Sequence, residues 1–181
     1  MFQEALVEIL SRLETAQSRG LLSGYALIGG FAVSAWGAPR ATQDFDFAIA
    51  IGQADPQALA TCIGSGYQAG EPGDPLRGVM TVSIQVGHEP VALQLVRLPS
   101  PLTELVFRHV ERLSVLECSV PVASWQVLII LKLYAGGPHD LLDVHQILKV
   151  RQSQGKDLQD ITSMAEAVGV LDEWNDVRKK M

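Results

Sequence analysis

Apolar residues recur at helical spacing near the start of the chain: Leu6, Ile9, Leu10 and Leu13 lie three and four positions apart among polar residues. That pattern predicts an amphipathic helix over residues 2–18, ending at Arg19-Gly20. Residues 25–28 are short, apolar and followed by Gly29-Gly30, the signature of a buried strand that turns sharply into a helix reaching Trp36. The run 45–51 reads as the next strand, and 56–63 as a helix begun near Asp55. The glycines and prolines of 64–78 predict a long irregular connection. Residues 79–86 and 91–98 are strand-like runs joined through Gly87-His88-Glu89-Pro90, most simply an antiparallel pair. A short helix is expected at 103–109 and one further strand within 113–122. After Ser124, an N-cap residue type, the pattern stays helical: 125–134, 139–151, 158–168 and from 171 onward, with 152–156 as a hinge.

This order predicts an α/β (α+β) chain, a mixed sheet with packed helices over residues 1–123. A helical C-terminal subdomain, 124–181, is expected to pack on that core. No internal repeat or low-complexity tract interrupts it.

With 181 residues and 48% hydrophobic content, the chain is long enough to bury a full core. Its net charge of −6 argues against broad non-specific nucleic-acid binding, which depends on Lys and Arg neutralising phosphates. The two cysteines, Cys62 and Cys118, have no metal-like spacing and are expected as buried small apolar residues. Glu4, Glu8 and Glu14 break up the first apolar segment, which lacks the basic start and small-residue cleavage site of a secretory signal. No uninterrupted apolar run reaches a membrane span. The expectation is a soluble cytoplasmic protein with no membrane partner.

One stretch does not fit a purely structural purpose. In Asp44-Phe45-Asp46-Phe47 the period-two geometry of a strand points both aspartates one way and both phenylalanines the other. Adjacent like charges repel unless a cation neutralises them or one carboxyl is protonated. Paired carboxylate oxygens suit Mg²⁺ or Mn²⁺, which complete their coordination with water and substrate phosphates. The competing reading is a solvated strand end whose aspartates pair with a base such as Arg40. Gly29-Gly30 adds weight to the metal reading: backbone without Cβ atoms at a strand-to-helix turn lets phosphate approach the amides.

The whole run GGFAVSAWGAPRATQDFDF resembles the signature of the nucleotidyltransferase superfamily, the polymerase-beta-like fold. The resemblance is strongest to its small bacterial members related to the AbiEii toxin and the minimal nucleotidyltransferases. Gly29, Gly30, Gly37, Arg40, Thr42, Asp44 and Asp46 occupy the motif positions, and weaker similarity extends from about Tyr25 to Leu148. Further on, LIILKLYAGGPHDLLDVHQIL places Lys132, Asp140 and Asp143 where the family has a helical lysine followed by aspartates. The resemblance implies that Asp44 and Asp46 hold Mg²⁺ or Mn²⁺ and act with Lys132 in catalysis. It implies that Gly29, Gly30, Arg40, Thr42, Gln94, Asp140 and Asp143 contact a nucleoside triphosphate. From the residues alone, Lys132 lies on an otherwise apolar helix, where an ammonium needs a carboxylate or phosphate partner. An ordinary ion pair with an aspartate of the next helix would serve it equally well.

The chain departs from the family pattern in one chemically important place. Active members generally add a third carboxylate from a later strand, but here that strand reads VALQLVRL, with Gln94 at the expected position and Ala92 as the second choice. A glutamine can offer its carbonyl oxygen to a metal but cannot take a proton from an attacking hydroxyl. Glu89 or Glu104 could substitute only by turning inward, and His139 could supply a cation that relatives place near the lysine. Two functions follow from different classes. One is a Mg-dependent nucleotidyltransferase that moves a nucleoside monophosphate from an NTP to a hydroxyl acceptor: a protein, an RNA end or a small molecule. The alternative is a catalytically degenerate nucleotide-binding module, of toxin–antitoxin type, acting through a cognate partner protein.

Overall fold

The computed structural model describes residues 1–181. α1 (Phe2–Ser18) forms as its spacing predicts, burying Ala5, Leu6, Ile9, Leu13 and Ala16 along one stripe. β1 (Gly24–Ile28) runs directly into α2 (Gly29–Ala35), and β2 is Phe45–Ala50. α3 (Pro56–Ile63) starts where Asp55 accepts a hydrogen bond from the Gln57 amide and stops at left-handed Gly64.

The expected irregular stretch over 64–78 contains a strand, β3 (Gly66–Ala69), which pairs antiparallel with β4 (Gly78–Val86). β5 (Glu89–Arg97) completes the predicted antiparallel pair with β4, and α4 (Ser100–Arg108) follows. The single strand expected within 113–122 is a hairpin, β6 (Val110–Val115) and β7 (Cys118–Ala123). Its turn residues Leu116 and Glu117 both have positive φ, 48° and 66°. Four helices close the chain: α5 (Trp125–Ala135), α6 (Pro138–Arg151), α7 (Lys156–Val168) and α8 (Leu171–Arg178).

The strands form one seven-stranded mixed sheet in the order β3-β4-β5-β2-β1-β7-β6. β2 lies between β1, antiparallel, and β5, parallel. Its alternation sends Phe45 and Phe47, both fully buried, to one face. There Phe31 stacks on Phe45 at 4.1 Å between ring centroids, and Phe2 of α1 meets both rings. Burying a phenylalanine completely is worth about 3–5 kcal/mol against alanine, so this face anchors the motif strand. α4 packs across β1 and β2 on the opposite face, and residues of α5 wall a hollow there with Asp46 and Val96. Beyond β2 that second face is open, with Thr81, Ser83, Gln85, Ala92 and Gln94 exposed. Residues of α5 to α8, including Leu128, Ile147, Ile161 and the fully buried Trp174, share one apolar cluster with the sheet. Cys62 and Cys118 are half-buried free thiols rather than fully buried ones, because each sits near the margin of its element. No helix is long and apolar enough to cross a membrane.

Candidate functional site

The β1–α2 turn and the start of β2 meet because Ile28 pairs with Asp46 across the sheet. Gly29 follows Ile28 with φ +69°, and a Cβ there would collide with the Asp46 carboxylate. A side chain at this position is therefore excluded twice, by backbone conformation and by space. Gly30 is equally constrained: a Cβ would lie 2.7 Å from Thr42 Oγ1 and 2.8 Å from an Arg40 guanidinium nitrogen. The two glycines thus let Asp46, Thr42 and Arg40 close on the turn.

Asp44, just before the strand, is exposed, whereas Asp46 is half-buried on the same side. Neither carboxylate takes a hydrogen bond or ion pair from the protein, since the nearby cations are committed elsewhere. Burial pushes the Asp46 carboxyl up to about 6; Lys132 opposes the rise, Asp44 adds to it, and Arg40 opposes it. Arg40 does not pair with Asp44 or Asp46, as the solvated-end reading required. Its Nε instead lies 3.5 Å from Asp143 Oδ2.

Lys132, on α5, reaches across the Gly136-Gly137 turn to α6. Its Nζ donates to Asp140 Oδ1 at 2.8 Å and lies 2.9 Å from Asp143 Oδ2. The Asp143 contact is an ion pair off the hydrogen-bonding direction, so that oxygen and Arg40 Nε remain without aligned hydrogen-bond partners. Asp140 Oδ2 also accepts from the Gly137 amide at 3.2 Å, fixing the start of α6. Asp143 is only 3% exposed, so its carboxylate is almost wholly removed from water beside the two cations.

Gln94 stands beside Asp46 in the β2–β5 register and is exposed on the open face. Glu89 is exposed on the β4–β5 hairpin, and Glu104 on α4 lines a different hollow with Arg77 and Arg97. His139 is exposed on α6.

A cavity of about 340 Å³ opens beside Asp46 and Lys132; Asp44, Arg40, Gln94 and Asp143 do not line it. Gly29, Asp46, Lys132 and Asp140 form its polar end; Val96, Leu98, Leu128 and Leu131 form apolar walls. Its rim is the 70–77 loop, fastened where Tyr134 Oη donates to the Pro75 carbonyl at 3.0 Å. Sequence reasoning missed Tyr134 and these walls, because leucines at helical spacing and a loop contact 59 residues away carry no local signal.

The donor set is suited to a hard divalent cation: two oxygen-only side chains, free of protein partners, beside glycine backbone that a Cβ would obstruct. Solved structures of similar shape identify the fold. The antibiotic-resistance factor ANT(2'')-Ia, known from a solution structure that reveals substrate-regulated conformation dynamics, superposes with a TM-score of 0.55 at 13% identity. That match covers 97% of this chain and 98% of the other. The crystal structure of an antigenic nucleotidyltransferase-like protein from Paracoccidioides brasiliensis gives a TM-score of 0.55 at 16% identity, covering 98% and 92%. The chain has the nucleotidyltransferase fold. No family model and no curated protein matches the sequence. Within this nucleotidyltransferase fold, the likeness to AbiEii-related members is carried by the sequence motif alone.

Proposed function

We propose that the chain binds a nucleoside triphosphate with Mg²⁺ or Mn²⁺ at Asp44 and Asp46 and transfers its nucleoside monophosphate to a hydroxyl acceptor. The observation that carries this reading is Asp46, without a protein partner and against Gly29 at the polar end of a cavity that also contains Lys132, with Asp44 equally without a partner two residues before it. A divalent ion there would neutralise charge developing on the phosphates. The Gly29-Gly30 backbone lets Asp46 and Arg40 close on the turn, beside a cavity with largely apolar walls. Arg40 and Lys132, steered by Asp143 and Asp140, present positive charge next to the glycines. In the transfer, a bond forms between the acceptor oxygen and the α-phosphorus, and the bond from that phosphorus to the bridging oxygen breaks. Pyrophosphate leaves with the electron pair, and the acceptor proton passes to solvent. A protein side chain, an RNA end and a small molecule all meet the chemical requirement for an acceptor.

Gln94 favours a second reading, a nucleotide-binding module of toxin–antitoxin type that has lost efficient transfer and works through a partner protein. Its carboxamide sits beside Asp46, and neither Glu89 nor Glu104 faces the pair. Loss of a general base costs roughly two to four orders of magnitude in rate but leaves positioning and electrostatic stabilisation in place. Both readings require the same nucleotide site.

Calorimetry of triphosphate binding, with and without Mg²⁺, tests that shared requirement. The expected result is Mg²⁺-dependent binding that disappears in the Asp44→Asn/Asp46→Asn variant. If the native chain binds no triphosphate in either condition, both readings are wrong.

A further inference from the structure

The acidic groups around the cavity divide into two electrostatic sets. Asp140 and Asp143 are compensated by Lys132 and Arg40, at distances of 2.8 to 3.5 Å, and Asp140 is further tied to the Gly137 amide. Asp44 and Asp46 are uncompensated, so the protein leaves two formal negative charges for a cation to neutralise. The strands on either side add none. Across the sheet from Asp46, in register, stand Ile28 on β1, Gln94 on β5 and, beyond it, Thr81 on β4. Two residues before Gln94 on β5, Ala92 pairs with Ser83 of β4, and neither is charged. No group of three or more His, Cys, Asp or Glu side chains converges anywhere in the chain.

Resting on the nucleotide reading above, we propose that the chain holds a single divalent ion in its triphosphate complex, and that Gln94 sets that number. Asp44 and Asp46 are the carboxylates here that no protein cation holds, and together they offer side-chain anchorage for one divalent ion. A second ion would have to be held by the triphosphate's oxygens, water and neutral side chains, against repulsion from the first. Gln94 stands on the strand next to Asp46, about 4.8 Å away across the sheet, where a carboxylate would add a third negative charge to the pair. Its carboxamide offers a carbonyl dipole but no net charge. Because Gln94 is exposed, replacing it alters the charge of the site without disturbing the core.

Mn²⁺ with a non-hydrolysable triphosphate analogue tests this by electron paramagnetic resonance and bound-metal stoichiometry, on the native chain, Gln94→Asp and Gln94→Ala. Thermal melts verify that each variant is folded. The expected result is one bound Mn²⁺ with an uncoupled spectrum for the native chain and Gln94→Ala. Gln94→Asp should double the stoichiometry and give a spin-coupled spectrum. Two coupled ions in the native chain, or one ion in folded Gln94→Asp, overturns the proposal. Loss of the ion in Gln94→Ala also overturns it, by making Gln94 a required ligand. If neither Mn²⁺ nor the analogue binds the native chain, the nucleotide reading itself has failed; analogue binding with two ions would sink only the single-ion inference.

Discussion

Lys132 Nζ lies 2.9 Å from the carboxylate of Asp143, a side chain almost wholly removed from water, and 2.8 Å from Asp140. Removing one partner of a buried pair leaves the other charge uncompensated, at a cost of about 3–5 kcal/mol. Lys132→Met is therefore expected to destabilise the protein by roughly 3 kcal/mol in urea denaturation. Lys132→Met combined with Asp143→Leu should recover part of that loss. A single variant as stable as the native chain would mean that Asp143 does not depend on Lys132.

Asp46 leads to the opposite expectation. Its carboxyl titrates near 6 in the folded chain against an ordinary value of 3.8. The folded state therefore binds the proton more tightly than the unfolded state. Stability from this group is fully present below pH 3.8 and is lost as pH rises through 6, a loss of about 3 kcal/mol at neutral pH. Without divalent metal, Asp46→Asn should be more stable than the native chain at pH 7.5, and the difference should shrink towards pH 4.5. Paired denaturation curves at the two pH values measure it, and a pH-independent difference would refute the assignment. Mg²⁺ should reverse the order at pH 7.5, since only the native carboxylate is expected to bind it.

Gly29→Ala places a Cβ against the Asp46 carboxylate and holds alanine at φ +69°. The backbone strain alone is worth about 1–3 kcal/mol. A melting temperature lowered by several degrees, together with loss of Mg²⁺-dependent triphosphate binding, is the expected outcome.

Tyr134→Phe removes the hydrogen bond to the Pro75 carbonyl while keeping the ring in the cavity wall. Overall stability should fall by about 1 kcal/mol or less. Amide hydrogen exchange within residues 70–77 should accelerate, because this bond fastens the loop to α5. Unchanged exchange there would show that the loop is held by other contacts.

Most of the fold was legible in the sequence because its longest elements carry strong local patterns. The apolar stripe of α1, the Asp55-Pro56 start of α3 and the alternation of Phe45 to Ala50 each point to one structure. β3 escaped notice because Gly66-Tyr67-Gln68-Ala69 has little apolar content and is defined by its backbone pairing with β4. The β6–β7 hairpin read as one strand because Leu116 and Glu117 make the turn at positive φ, without the Gly or Asn that usually marks such a turn. At the candidate site, Asp44 and Asp46 stand out in the sequence by their spacing, and Gln94 pairs with Asp46 in the β2–β5 register. The ion pair of Lys132 with an aspartate of the next helix was one of the two readings open in the sequence, but the contact of Arg40 with Asp143 was not legible, since it depends on how α6 and the loop before β2 meet in space.

Anomalous diffraction from crystals grown with Mn²⁺ and a non-hydrolysable triphosphate tests the central claim most directly. A manganese peak coordinated by carboxylate oxygens of both Asp44 and Asp46, with the triphosphate against Gly29-Gly30, is the predicted result. A nucleotide bound elsewhere, or a manganese peak away from these two side chains, would contradict the account.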